Sequence, residues 1–370
     1  MKRIVFINPG TNKLMTDLVN ELAKKHEVYY VSAQMNSENL SDLVRCVKVR
    51  SVRFGTTPLN VKWGMEIPVP SYYKKLGLVL KSIEPDIIVA NGLYRLYFWQ
   101  ALHYTKKHSN KLFLYTELKA YPESKIKTVM TKLLLQAFNH YSKYVTKVLT
   151  FTEQGKMFLQ NKVKASIEVC PAGIDTKIFK EKKNKVFLKD GILRILMVAR
   201  MVPFKEYFTL LNACKILKDE GIKFLLIIRG EGILKKQILK RIELLGLWDN
   251  VEFRQKIPYE QMPGLYHESD VLVLPSRNEA IGMVVPQAMG CGIPTITSDS
   301  VGANTYVKSS ESGFIYKTRD IFALYQRLNI INDKLLLKLL GHESSGIIHK
   351  YFTIKECSKQ LEKALLEETK

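Results

Sequence analysis

A chain of 370 residues, 46% hydrophobic and 25% charged, has the composition of an ordinary globular protein and the length of two domains. No run of about 18 apolar residues is present to cross a membrane, and the five scattered cysteines lack the C-x-x-C spacing of a thiolate metal or redox site. The formal charge of +22 is uneven. Residues 1–180 hold 28 Lys/Arg against 13 Asp/Glu, so the first half should draw polyanions: nucleic acid, anionic lipid or phosphorylated substrates.

The opening apolar run, Lys2–Asn8, is too short for a signal-peptide core and reads as a first strand that ends at Pro9-Gly10-Thr11. The expected location is therefore cytoplasmic, with a peripheral seat on the membrane face compatible with the charge. Leu14–His26 then has helical periodicity, Glu27–Ser32 is rich in Val and Tyr, and Cys46–Phe54 reads as another strand. Asp86–Ala90, Lys111–Thr116 and Lys147–Thr152 are further strand runs, with a helix over Leu93–His108. The lysine-rich segment Asp175–Gly191 reads as a linker. A second alternation follows: strands at Arg194–Val198, Phe224–Ile228, Val271–Leu274 and Thr295–Ser298, with helices at Tyr207–Glu220 and from Val284. Ile354–Glu368 closes the chain as an amphipathic helix. Short apolar runs separated by helices predict parallel α/β sheets. The expected domains are residues 1–180 and 190–350, with 351–370 packing back toward the first.

In open α/β sheets ligands sit beyond the carboxyl ends of strands, so the residues after each strand carry the functional signal. After Val198 come Arg200 and Lys205, a guanidinium fork and an ammonium suited to a diphosphate. After the next strand, Arg229-Gly230-Glu231-Gly232 lets a backbone approach a ligand or simply turns the chain. After Leu274, the segment Pro275–Pro294 passes Glu279, Gly282 and Met283 and opens a helix at Val284 whose free N–H groups favour phosphate. Glu279 is placed to accept hydrogen bonds from sugar hydroxyls, and the amide of Gln287, eight residues on, to bond a ribose diol.

Together these segments resemble glycosyltransferase family 4, the retaining enzymes of the GT-B fold. The resemblance runs through Pro171-Ala172-Gly173-Ile174-Asp175 with Phe179, Leu265-Tyr266 before Ser269-Asp270-Val271, Pro275-Ser276 before Asn278-Glu279, and Ala288-Met289-Gly290-Cys291-Gly292-Ile293-Pro294. It implies two Rossmann-like doubly wound domains facing a central cleft. It also implies that Arg200 and Lys205 hold the donor diphosphate, Glu279 contacts the transferred sugar, Gln287 holds the ribose, and Lys256–Ile257 lie beside the nucleobase. The donor would be a UDP- or GDP-linked hexose or N-acetylhexosamine, a co-substrate rather than a resident cofactor. The acceptor would be a lipid-linked or cell-envelope glycan.

Departures from the family pattern are specific. Gln287 replaces the usual second glutamate, Pro286 lies early in the helix, and Ala280-Ile281 replaces Gly-Phe. Glu117 stands where many members place a histidine, as a candidate for contacting the transferred sugar or the acceptor hydroxyl, or as an ordinary loop carboxylate. No D-x-D or His/Cys cluster occurs, so metal dependence is not expected. Residues 124–152 carry no acid; Ile126, Val129, Met130, Leu133, Leu134, Ala137, Phe138, Tyr141 and Val145 recur at helical spacing, with Lys125, Lys132, Lys143 and Lys147 available to flank them. That stripe, with Tyr72-Tyr73-Lys74-Lys75, reads either as a seat on an anionic membrane or as packing on the protein's own sheet. A nucleotide-sugar 2-epimerase and a non-catalytic sugar-nucleotide- or membrane-binding module are the rival functions. No nucleic-acid motif accompanies the charge.

Overall fold

The computed structural model describes residues 1–53, 71–122 and 124–367. They divide into two compact units, the second of which spans Ile174–Thr353 and the first of which takes in the chain before it and the C-terminal helix.

In the first unit the strands are β1 (Arg3–Ile7), β2 (Glu27–Ser32), β3 (Val44–Lys48), β4 (Ser51–Arg53), β5 (Ser71–Tyr73), β6 (Ile87–Asn91), β7 (Lys111–Thr116), β8 (Lys147–Thr150) and β9 (Ile167–Val169). Its helices before the C-terminal one are α1 (Lys13–Leu22), α2 (Leu76–Ile83), α3 (Leu96–Thr105), α4 (Lys125–Tyr141) and α5 (Glu153–Leu159). The main sheet runs β3-β2-β1-β6-β7-β8-β9, every pair parallel. β4 and β5 form a separate antiparallel pair. The expected strand over Cys46–Phe54 is therefore two short strands in two sheets, broken at Val49-Arg50; Phe54 lies outside the described residues. β1, β6 and β7 are almost wholly apolar because both faces of a parallel sheet are covered. α1 starts where Asn12 caps it, its side-chain oxygen accepting the Met15 N–H at 3.0 Å.

The second unit contains β10 (Leu193–Val198), α6 (Tyr207–Asp219), β11 (Phe224–Arg229), α7 (Lys235–Leu244), β12 (Val251–Arg254) and α8 (Met262–His267). It continues with β13 (Val271–Leu274), α9 (Val284–Gly290), β14 (Thr295–Ser298), β15 (Gly313–Tyr316), α10 (Ile321–Ile330) and α11 (Lys334–Tyr351). Its parallel sheet runs β12-β11-β10-β13-β14-β15. Counted within each sheet, both begin 3-2-1-4-5-6, the Rossmann order, which reverses direction beside the first strand. Periodicity alone does not single out β12 or β15: the one is an edge strand that alternates apolar and charged residues, the other a four-residue run that begins with a glycine.

Residues 174–180 belong with the second unit rather than the first. Phe179 is fully buried in its core, and the Ile174 N–H bonds the Phe352 carbonyl at 2.8 Å. The lysine-rich segment that follows is anchored by one carboxylate. Asp270, 1% exposed, accepts the N–H of Arg194 at 2.8 Å and of Leu188 at 3.2 Å, and lies 3.6 Å from the Lys185 ammonium.

The helix α12 (Ile354–Leu366) returns to the first unit and packs on α1, burying Cys357, Leu361 and Leu365. Glu362 receives Lys25 at 2.7 Å and His26 at 3.0 Å. Burial alone would raise the Glu362 carboxyl, but the hydrogen bonds from Lys25 and His26 outweigh it and hold it below its ordinary value of 4.5. A depressed carboxylate stabilises the fold above its unfolded value and loses that contribution as pH falls through the folded one. Glu362→Gln should therefore lower the melting temperature by a few degrees at pH 7. The gap from wild type should close as the pH is taken below 4.5, as thermal melts across pH would read directly.

Candidate active site in the second unit

Because the strand order reverses at β10, the loops after β10 and β13 diverge to opposite sides and leave a crevice at the sheet's carboxyl edge. The sequence places its strongest candidates on those two loops. Arg200 and Lys205 follow β10; Glu279 follows β13.

The structure joins them. The Lys205 ammonium is hydrogen-bonded to the Glu279 carboxylate, and both side chains are largely buried, 11% and 17% exposed. Lys205 also stands 5.3 Å over the Phe204 ring. Thus the ammonium expected on a diphosphate and the carboxylate expected on a sugar are partners, and a ligand in the crevice would share both. Arg200 is exposed on the same loop. A second link ties the loops together: Glu206 takes Arg277 at 2.8 Å, and the Arg277 N–H bonds the Phe204 carbonyl at 2.8 Å. Glu206 and Arg277 are absent from the sequence-derived site; their roles depend on two loops 70 residues apart meeting, which no local pattern reveals.

Backbone conformation sets Glu279 in place. Asn278 and Gly282 on either side adopt φ values of 77° and 81°, and the Glu279 carbonyl accepts the Gly302 N–H at 2.9 Å. A side chain on Gly282 would meet Leu274 at 3.0 Å and the Glu279 side chain at 3.1 Å, so glycine is required on both counts. Met283 and Val284 are half-buried at the entrance to α9. That helix is only seven residues long, and Pro286 is its third, inside the first turn where a missing N–H costs little.

Gln287 is 8% exposed, and its side-chain oxygen accepts the Tyr266 hydroxyl at 3.0 Å. Its carbonyl being engaged, the amide offers N–H donors to a ligand, where a glutamate would offer acceptors. Burial holds the Tyr266 hydroxyl well above the usual tyrosine range, so it remains a donor. Tyr266 is thus a member of the site, positioning Gln287.

The glycine turn after β11 is a packing requirement. A Cβ on Gly230 would lie 1.8 Å from the Ala199 carbonyl oxygen, and one on Gly232 2.5 Å from that of Met201. The Met201 N–H bonds Glu231 at 2.8 Å, and the Tyr207 hydroxyl bonds Ala199 at 2.6 Å, so this turn buttresses the Arg200 loop. Beyond β12, Lys256 is exposed and Ile257 half-buried, with the Ile257 carbonyl 3.4 Å from an Arg229 nitrogen. Glu117 belongs to the first unit, exposed after β7; its charge is felt by Tyr97, whose hydroxyl bonds the Asn91 carbonyl at 2.5 Å. Among the described residues, no three His, Cys, Asp or Glu side chains converge as a metal site would need.

Two successive Rossmann-like units, the second bearing cationic and acidic loops at its switch point, define the GT-B class of fold. HepE from Anabaena, solved in complex with UDP, shares that fold at 16% identity, with a TM-score of 0.76 and 99% of each chain covered. Residues 178–338 match the family described as glycosyl transferases group 1. Putative colanic acid biosynthesis glycosyltransferase WcaL of Escherichia coli is 31% identical over 142 residues, 37% of this chain and 35% of that protein. The UDP-Gal:alpha-D-GlcNAc-diphosphoundecaprenol alpha-1,3-galactosyltransferase of Escherichia coli is 28% identical over 207 residues, 51% of each. The matched stretch thus spans about a third to a half of the length of these two relatives.

The collision at Gly230 gives a structural prediction. Gly230→Ala must displace backbone and should cost at least about 1–3 kcal/mol of stability. Gly264→Ala, which meets nothing within 4 Å, should be neutral or slightly stabilising. Urea denaturation of the two variants compares them.

Proposed function

We propose that this protein is a retaining glycosyltransferase that moves a hexose or N-acetylhexosamine from a UDP- or GDP-linked donor to a lipid-linked or cell-envelope glycan. The observation that carries it is the meeting of Lys205 and Glu279 at the switch point of the second sheet, with Arg200 on the same loop. Departure of a nucleoside diphosphate develops negative charge on its oxygens. Arg200 and Lys205 supply fixed positive charge there, without a metal ion, in a setting where little water need reorganise. Glu279 would hold the transferred sugar through its hydroxyls, Gln287 would donate to the ribose, and Lys256 and Ile257 would border the base. Glu117 would serve the acceptor side. Retention at the anomeric carbon rests on the family resemblance. A nucleotide-sugar donor is supported by the UDP complex of HepE, and an envelope acceptor by the relatives named for colanic acid biosynthesis and diphosphoundecaprenol.

The variant that tests the diphosphate clamp is Arg200→Ala, because Arg200 is exposed and its loss should leave the fold intact. Lys205→Ala would instead strand a largely buried carboxylate, a change that can cost about 3–5 kcal/mol by itself. With a donor found by thermal shift across UDP- and GDP-sugars, Arg200→Ala should reduce turnover about 10²-fold. Glu279→Ala should reduce transfer more than nucleoside diphosphate affinity. Near-normal turnover in folded Arg200→Ala, or equal losses of transfer and affinity in Glu279→Ala, would remove these assignments.

A membrane seat is the second half of the proposal, and α4 is the observation behind it. The structure divides the stripe read from sequence. Thr131, Leu135 and Phe138 are buried, while Ile126, Val129, Met130 and Leu133 are 51–75% exposed. At 100° per residue the two sets stand about 150° apart on the helix. One face serves the core and the other presents a separate apolar strip, flanked by exposed Lys125 and Lys132. Tyr73 is no part of such a surface: it is 1% exposed and its hydroxyl bonds the Asn8 carbonyl at 2.6 Å. Among the described residues no helix is long and apolar enough to cross a membrane. An exposed apolar strip with lysines along one edge suits the boundary of an anionic bilayer. The protein should float with phosphatidylglycerol vesicles at low salt, and Met130→Asp combined with Leu133→Asp should abolish flotation while leaving the melting temperature unchanged. Wild-type protein staying at the bottom of the gradient would exclude the seat.

A further inference from the structure

Away from the switch-point loops, the second unit holds a cleft of about 510 Å³. Its floor follows from strand register. Paired residues of parallel strands stand on the same face, and Arg194 pairs with Leu225, Ile227 with Glu252 and Arg229 with Arg254. Arg194, Leu225, Ile227 and Arg254 therefore rise from one face of the sheet and line the cleft together. The segment before β10 contributes Lys182, Lys185 and Lys189; the end of α8 and the start of β13 contribute His267, Glu268 and Asp270.

Five cationic side chains thus line a cleft with two carboxylates, both of them engaged, while Glu252 at 3.1 Å and Asp190 at 3.9 Å pair Arg254 and Arg194 from beside it. Asp270 holds Lys185 and two backbone N–H groups, and Glu268 lies 3.3 Å from Arg254. His267 Nε2 donates to the Lys180 carbonyl at 3.0 Å, and Lys185 donates to the His267 carbonyl at 3.0 Å, so the buried polar groups on this wall are satisfied. Among the described residues Lys182 and Lys189 make no ion pair. The excess positive charge is felt within the cleft. Burial lowers the Lys185 ammonium, with Arg194 and Lys182 pushing the same way against Asp270; burial also lowers His267, and Lys182 and Lys185 add to it. A cavity of this size suits a small molecule, and its Leu225 and Ile227 floor can cover a carbon skeleton.

We propose that this cleft is an anion site for a phosphate ester, with the phosphate held by Lys182 and Lys189 and the carbon body laid on Leu225 and Ile227. It shares no residue with the candidate donor site. Arg194 and Asp270 lie at the amino ends of their strands, whereas Arg200, Lys205 and Glu279 follow carboxyl ends. The inference therefore stands or falls independently of the proposed transfer reaction.

The test uses the full chain and three probes: inorganic phosphate followed by ³¹P NMR, glucose 6-phosphate by calorimetry, and vesicles containing phosphatidic acid by flotation. The expected result is saturable binding of at least one probe, weakened at least tenfold in the double variant Lys182→Glu, Lys189→Glu and retained in Arg200→Ala. Both lysines are exposed, and an unchanged melting temperature would verify that the double variant folds. Binding of the soluble ester alone would assign a free metabolite, and binding of vesicles alone a lipid headgroup. No binding of any probe would overturn the site, as would binding lost in Arg200→Ala and unaltered in the lysine variant.

Discussion

In the second unit β10 lies between β11 and β13, and the candidate chemistry depends on that placement. A sheet wound in one direction would send successive loops the same way and close over its own edge. Reversal beside β10 opens that edge and lets residues from around position 200 and around position 280 meet there. The Lys205–Glu279 pair is the direct consequence. Two largely buried charges are tolerable only as partners, so neither loop can move far without the other. The Glu206–Arg277 bridge fastens the same two loops a residue or two away, making the crevice a rigid edge.

For the proposed reaction this rigidity is what would give the cationic loop its value. A charge held by packing stabilises developing negative charge without first having to reorganise, which a flexible surface lysine cannot do. The supports are mostly backbone: the Tyr207 hydroxyl on Ala199, the Glu231 carbonyl on Met201, and two glycines where a single Cβ would strike a carbonyl. The first unit uses the same device, with Tyr30 and Tyr73 hydroxyls bonding the Gly10 and Asn8 carbonyls after β1. Buried tyrosines thus fix the loops that follow the first strand in both units.

Gln287 illustrates how one substitution changes what a site can recognise. A glutamate there would be an acceptor for two hydroxyls. The amide, with its oxygen on Tyr266, presents donors instead. In the proposed site a ribose hydroxyl bound by this amide would have to accept, leaving its own proton free to bond elsewhere.

Much of this was legible from the chain alone. β2, β7, β13 and β14 are read at their observed bounds, because runs rich in aliphatic, aromatic and β-branched residues stand between turn residues. The position of Arg200, Lys205 and Glu279 after strands is legible for the same reason. The α4 stripe was not: hydrophobic spacing marks which residues could share a face, while burial depends on what packs against it, and here the core of the first unit takes Leu135 and Phe138 and leaves Ile126, Val129, Met130 and Leu133 outside. Glu206, Arg277 and the cleft under Lys182 were equally hidden, since each joins segments tens of residues apart. Local periodicity and turn chemistry determined the elements and their order; strand register and the reversal beside β10 decided which charges became neighbours, because pairing across a sheet is a property of three dimensions that no stretch of sequence contains.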